Sequence, residues 1–165
     1  MSAPAFPVRL RPWPAAESTA LTAGEGAPPP GLAWHPDYPT EDTFIALGLL
    51  KLAHDAAGSI GSAGPWWLHQ IVVSPAGDDV VVGDIGFHGP PEPGRRAVVE
   101  IGYAVVPAWQ GQGVATRACA LLLEQAWRNG ADLVQAEAAN LASRAVLLKC
   151  GFQHRRGTWF EVARP

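Results

Sequence analysis

A strand that is apolar on both faces, followed by a glycine loop and then an amphipathic helix, leaves few folds open to this chain. Residues 97–106 read Ala-Val-Val-Glu-Ile-Gly-Tyr-Ala-Val-Val. Successive strand side chains point to opposite sides, so apolar residues at both parities predict a central strand covered on each face. Pro107 ends it, having no N–H to give a ladder. Beyond Gln110-Gly111-Gln112-Gly113, residues 116–129 place Ala118, Leu122 and Ala126 on one side of a helix, with Ala115 and Leu123 beside them, and Gly130 is a suitable stop. A sheet flanked by helices is the expected architecture, a mixed α/β (α+β) domain.

The flanking segments fit that layout. Val8-Arg9-Leu10-Arg11 alternates as a half-buried strand does, and Pro12 and Pro14 end it. Residues 25–41, with Pro28-Pro29-Pro30-Gly31, Pro36 and Pro39, are expected as a loop on the substrate side. Asp42 can cap a helix over residues 43–57, in which Phe44, Leu47, Leu50 and His54 share a face and residues 58–65 make the stop. Residues 66–73 and 79–87 read as a hairpin across a short turn, with Trp66 and Trp67 on opposite faces so that one is core. After the long helix come a strand at 133–138, a helix capped by Ser143 and running to Cys150, and a final strand introduced by Gly151-Phe152.

Length and charge narrow the function classes. A chain of 165 residues fits one domain, residues 1–165, able to bury about 70% of its unfolded surface. Lys and Arg number 12 against 15 Asp and Glu, with no basic run, which argues against nucleic acid or an anionic membrane as partner. The opening MSAPAFPVRL lacks the apolar stretch of a secretory signal, so a cytoplasmic location is expected. Cys119 and Cys150 lie in helix-like patterns and read as small hydrophobes. His35, His54, His69, His88 and His154 have no paired ligand spacing, and no metal is expected.

The segment from Val105 to Thr116 carries chemistry. Its glycines let backbone approach a ligand, and the unpaired N–H groups and positive dipole end of the following helix offer a pyrophosphate a site. A plain glycine turn before a helix is the alternative. A P-loop would need a lysine where Val114 and Ala115 stand. A Rossmann fingerprint would need a third glycine at Thr116 and a strand feeding straight into the first, whereas Pro107 to Gln110 intervene.

These residues resemble motif A of the GNAT acyltransferases, matched by Gln110, Gly111, Gln112, Gly113, Val114 and Ala115. Glu100-Ile101-Gly102-Tyr103, then Asn140, Ala142-Ser143 and Lys149-Cys150-Gly151-Phe152, are similar in order and spacing to the RimJ/RimL-like branch. The likeness covers at least residues 81–160. It implies the GNAT fold, a sheet of about seven strands that splays in the middle, with residues 97–152 as the acetyl-CoA-binding core. The implied activity is N-acetyl transfer from acetyl-CoA directly to a primary amine, a protein N-terminus or a small molecule. The N–H groups of Gln110, Gly111, Gln112, Gly113, Val114, Ala115 and Thr116 would hold the pyrophosphate. Val105 and Val106 would bond the pantetheine arm and polarise the thioester, with Asn140 and Ser143 on its other side.

Glu100 is the expected base, on the central strand before the cofactor contacts; the bland alternative is a strand carboxylate paired with Arg95 or Arg96. Where many relatives have a tyrosine to protonate the leaving sulfur, this chain has Leu147, leaving Ser143, Tyr103 or a water for that role. Trp34, His35, Tyr38 and His88 are the expected acceptor-side residues. The expected partners are acetyl-CoA and an amine, with a homodimer allowed and neither nucleic acid nor membrane called for. A protein that binds acyl-CoA as a sensor without turnover is the competing reading.

Overall fold

The computed structural model describes residues 4–56 and 64–165. Along the chain come β1 (Val8–Pro12), α1 (Ala15–Thr22), β2 (Ala33–Trp34), α2 (Glu41–Ala56), β3 (Leu68–Val73), β4 (Val80–Phe87) and β5 (Val98–Val105). A 3-10 turn at Pro107–Trp109 leads to α3 (Val114–Arg128), β6 (Leu133–Glu137), α4 (Leu141–Lys149), β7 (Gln153–Arg156) and β8 (Trp159–Ala163). The strands form one sheet in the order β1-β3-β4-β5-β6-β8-β7, with β2 alongside β4.

Pairing is antiparallel except at β5/β6 and β2/β4. A parallel pair needs a long crossover, and α3 supplies it between β5 and β6. That pair is short: Val98 to Ile101 face Leu133 to Ala136, while β5 runs on to Val105 with only β4 as partner. The sheet therefore splays beside residues 102–105 of β5.

Packing follows the expected pattern with exceptions. α3 buries Ala118, Cys119, Leu122 and Ala126 and packs over β1, β4 and β5. It starts at Val114, two residues before the expected Thr116, because Gly113 rather than a polar side chain forms its N-terminal cap. α2 turns the expected Leu47 and Leu50 inward, but Thr43 takes the place of Phe44, which is left 44% exposed. Its cap is also earlier: the Thr43 N–H donates to the Thr40 hydroxyl at 3.4 Å, and the Thr40 N–H to that of Thr43 at 3.1 Å, with Asp42 already inside the helix. The expected stop at 58–65 and the place of His54 on that face lie largely outside the described residues.

Other differences have local causes. Trp66 and Trp67 precede β3, and the Trp66 ring packs edge-on to Phe87 at 5.0 Å. The loop at 25–41 contains β2, recruited when the Ala33 N–H bonds Asp79 and the His35 N–H bonds Val81. α1 buries only Leu21 and is tied to β1 by Glu17, which accepts from Arg11 at 2.6 and 2.8 Å. The final strand is a hairpin of β7 and β8.

Candidate active site

The loop between β5 and α3 is shaped by two glycines. Gly111 and Gly113 have φ of 72° and 82°, a left-handed conformation that side chains with a Cβ resist. Gly113 offers α3 no capping side chain, so the first-turn N–H groups of a 15-residue helix are left without a side-chain acceptor. Two glutamines brace the loop from within. Gln110 Nε2 donates to the Val105 carbonyl at 2.8 Å, and Gln112 Nε2 to the Ala108 carbonyl at 2.9 Å.

A cleft of about 400 Å³ opens in front of these N–H groups. Gln110, Gly111, Gly113, Val114, Ala115 and Thr116 line one end of it, Tyr103, Ala104 and Val105 its floor, and Asn140 and Ser143 its far side. Gln112 and Val106 are not in its lining. Val106 is fully buried and its N–H donates to the Val82 carbonyl at 2.8 Å, so it belongs to the β4/β5 ladder and has no N–H to offer a ligand. Antiparallel alternation sends the N–H of Val105 the opposite way, into the splay. Asn140, not Ser143, caps α4: its Oδ1 accepts the Ser143 N–H at 2.8 Å, and both residues line the cleft. Leu147 is wholly buried and supplies no proton.

A second cleft of about 300 Å³ shares Asp42, Tyr103 and Ala104 with the first. Its floor is a trough. Register sets Asp84 opposite Ala104 and Gly86 opposite Gly102, and the His88 N–H bonds the Glu100 carbonyl at 2.9 Å. Alternation puts all six on one face, with Gly86 and Gly102 in the middle, Asp84 and Ala104 at one end and His88 and Glu100 at the other. Ile45, Ala46 and Leu49 of α2 form an apolar wall. The even-numbered face of β5 is thus open rather than covered, which is why Glu100 and Gly102 are only half-buried.

At one end of the trough, His88 Nδ1 stands 2.9 Å from Glu100 Oε1, with side chains 45% and 36% exposed. Arg95 instead pairs with Glu92, at 3.5 Å. At the other end Asp84 is 4% exposed and takes three hydrogen bonds, from Trp13 Nε1 at 2.8 Å, the Tyr38 hydroxyl at 2.8 Å and the Thr43 hydroxyl at 2.5 Å. Burial pushes its carboxyl up to about 6 in spite of these donors. Tyr103, in the lining of both clefts, donates its hydroxyl to the Ser143 carbonyl at 3.2 Å; burial pushes its phenol up to about 12, so it stays protonated.

Of the four expected acceptor-side residues, only His88 lines either cleft. Tyr38 is 5% exposed and bonded to Asp84, and Trp34 is sandwiched edge-on between Trp13 and Tyr38 at 6.1 and 5.5 Å. His35 accepts the Asp37 N–H at 3.2 Å. These three shape the site through Asp84 and β2 rather than by facing the trough. No motif singles out Asp84, although a lone acid in the apolar run Val80–Phe87 signals a buried polar network. Among the described residues no cluster is placed to hold a metal ion, and no helix is long and apolar enough to cross a membrane.

The family model for the acetyltransferase (GNAT) domain matches residues 7–153. No curated protein matches the chain in sequence. Among solved structures, Mycobacterium smegmatis RimJ in complex with CoA-disulfide is similar with a TM-score of 0.58 and 19% identity, over 98% of this chain and 86% of that one. The yncA protein of Salmonella typhimurium, a candidate acetyltransferase seen with its cofactor acetyl-CoA, gives 0.53 and 21%, over 94% and 93%. RimL, a ribosomal L7/L12 alpha-N-protein acetyltransferase in its apo form, gives 0.53 and 18%, over 95% and 90%. At these identities the likeness is one of fold.

Proposed function

The chain belongs to the GNAT acetyltransferase family, and on that premise we propose that it moves an acetyl group from acetyl-CoA directly to a primary amine. The observation that carries this is the meeting of two clefts at Tyr103 and Ala104, one headed by the glycine loop and the other bounded by His88, with Glu100 beside that histidine. The first suits acetyl-CoA. Its pyrophosphate rests on the N–H groups of Gly111, Gly113, Val114, Ala115 and Thr116 and the dipole end of α3, whereas the expected Gln110 N–H is taken by the Pro107 carbonyl at 3.2 Å. The pantetheine arm lies in the splay, where the Val105 N–H and the Asn140 amide can donate to it.

The second cleft suits the acceptor. Its apolar wall and small-residue floor take the body of an amine, with the nitrogen directed at the thioester where the clefts join. The nitrogen bonds the carbonyl carbon, the C–S pair leaves on sulfur, and the amine's proton goes to the Glu100 end of the trough. An N–H aimed at the developing oxyanion is worth about 2.7–4 kcal/mol. The Ser143 and Tyr103 hydroxyls, both in the first cleft's lining, would serve the departing sulfur, which needs only modest help because thiols ionise near pH 8.5. A small-molecule amine or a protein N-terminus both fit a trough open at the His88 end.

The buried Leu147, in the place of the relatives' tyrosine, favours one competing reading, an acyl-CoA sensor without turnover. Calorimetric titration with acetyl-CoA, run beside a thiol-release assay over a panel of amines, separates the two. Micromolar binding with thiol release for at least one amine supports the transferase. Binding without release for every amine supports the sensor, and no binding removes both.

A further inference from the structure

We infer that His88 is the catalytic base, with Nε2 taking the proton of the acceptor amine, and that Glu100 is the positioning residue that holds the ring in place. The inference rests on the acetyl-transfer reading and names the group that touches the amine.

Three observations converge. Glu100 Oε1 stands 2.9 Å from His88 Nδ1 and can only accept, so in the neutral ring it favours the hydrogen on Nδ1 and the lone pair on Nε2. That nitrogen lies directly over Gly102: a Cβ there would stand 2.7 Å from Nε2 and 3.5 Å from the next ring carbon. The missing side chain at 102 is therefore the seat of the ring, which brings Nε2 down to the floor of the trough. Finally, His88 lines both the trough and a smaller cavity of about 240 Å³ that it shares with Glu100, Tyr103 and Ser143. The imidazole thus stands between the amine's place and the splay.

Two of the other acids are already engaged, which leaves Asp42, in the lining of both clefts, as the competing carboxylate. Glu100 Oε1 is engaged by the imidazole, and Asp84 already accepts three hydrogen bonds while 4% exposed. In the reaction the nitrogen lone pair forms the new N–C bond, the C–S pair departs on sulfur, and the proton shed by nitrogen goes to Nε2. Glu100 balances the resulting imidazolium. Its proton then passes to the thiolate or to water, which the 45% exposure of His88 permits.

The test uses the full chain with acetyl-CoA and whichever amine gives thiol release. His88→Ala is expected to lower kcat about 100-fold or more with acetyl-CoA affinity unchanged, and free imidazole to restore part of the rate. Glu100→Gln is expected to lower kcat with little change in the acceptor's KM, and imidazole to leave it low because its own ring still fills the seat. If His88→Ala keeps half or more of the wild-type kcat, or loses it with no imidazole rescue, the assignment is overturned. Glu100→Gln proving the more damaging of the two would return the base role to Glu100. A wild-type chain that binds acetyl-CoA yet releases no thiol with any amine removes the transferase reading itself, a different result from a tolerant His88 variant.

Discussion

Asp84 and His69 are buried ionisable groups whose titrations pull stability in opposite directions. Asp84 sits at about 6 in the fold against an ordinary 3.8, because burial disfavours its charge. Between about pH 4 and 6 the native state keeps a proton that the unfolded chain has lost, so this group lowers stability as pH rises through that window. At about 1.36 kcal/mol per tenfold change in proton affinity, the total is roughly 3 kcal/mol. His69 is 4% exposed, with Nδ1 lacking a partner among the described residues, and burial lowers it from 6.5 to about 4. There the unfolded chain binds the extra proton, so stability rises with pH over nearly the same window, again by roughly 3 kcal/mol. The contributions nearly cancel in the wild type. Asp84→Asn keeps a carbonyl for Trp13 and Tyr38 and turns an amide toward the Thr43 hydroxyl, so it should fold. Urea denaturation at steps from pH 4 to 7 should then show stability climbing by roughly 3 kcal/mol relative to the wild-type profile, and His69→Gln should show the reverse slope. An Asp84→Asn profile parallel to the wild type's would mean that the carboxyl is ionised throughout and the burial argument is wrong.

Other expectations follow from the glycines. Gly113→Val places a β-branched residue at φ 82°, a strain of at least about 1–2 kcal/mol, and should weaken acetyl-CoA binding at least tenfold while the chain still melts cooperatively. Unchanged affinity by calorimetry would take the loop out of the site. Gly102→Ala should displace the His88 ring and lower kcat without altering acetyl-CoA affinity; full activity would show that the ring does not need that space. Gly83→Ala should cost about 1–3 kcal/mol in urea denaturation, since a Cβ there meets the Ala104 carbonyl oxygen and comes within 3.0 Å of the Val105 Cα. A neutral result would mean that β4 and β5 can part without penalty.

What could be read from the sequence was local. The strand, glycine loop and helix from Val98 to Arg128 are legible because each is set by its own residues: apolar at both parities, positive φ at glycine, then a stripe every three or four positions. α1 and β2 were not, since α1 buries little beyond Leu21 and β2 exists only because β4 offers it an edge. The trough was hidden for the same reason. Nothing near Asp84 in sequence announces Trp13, Tyr38 and Thr43 as its donors, 71, 46 and 41 residues away.

Glu100 shows how far this limit reaches into the chemistry. Sequence proximity offers it Arg95 and Arg96, a pairing that would make it a passive surface carboxylate. Antiparallel register offers it His88, because Phe87 opposite Ile101 forces residue 88 opposite residue 100, and equal parity puts both side chains on the trough face. An arginine partner would hold Glu100 as an anion and leave the amine no neutral base. A histidine partner turns the same anion toward a ring that can take a proton and give it up. The partner, and with it the role of the carboxylate, is decided by strand register, which depends on the whole β4/β5 ladder rather than on the residues that flank position 100.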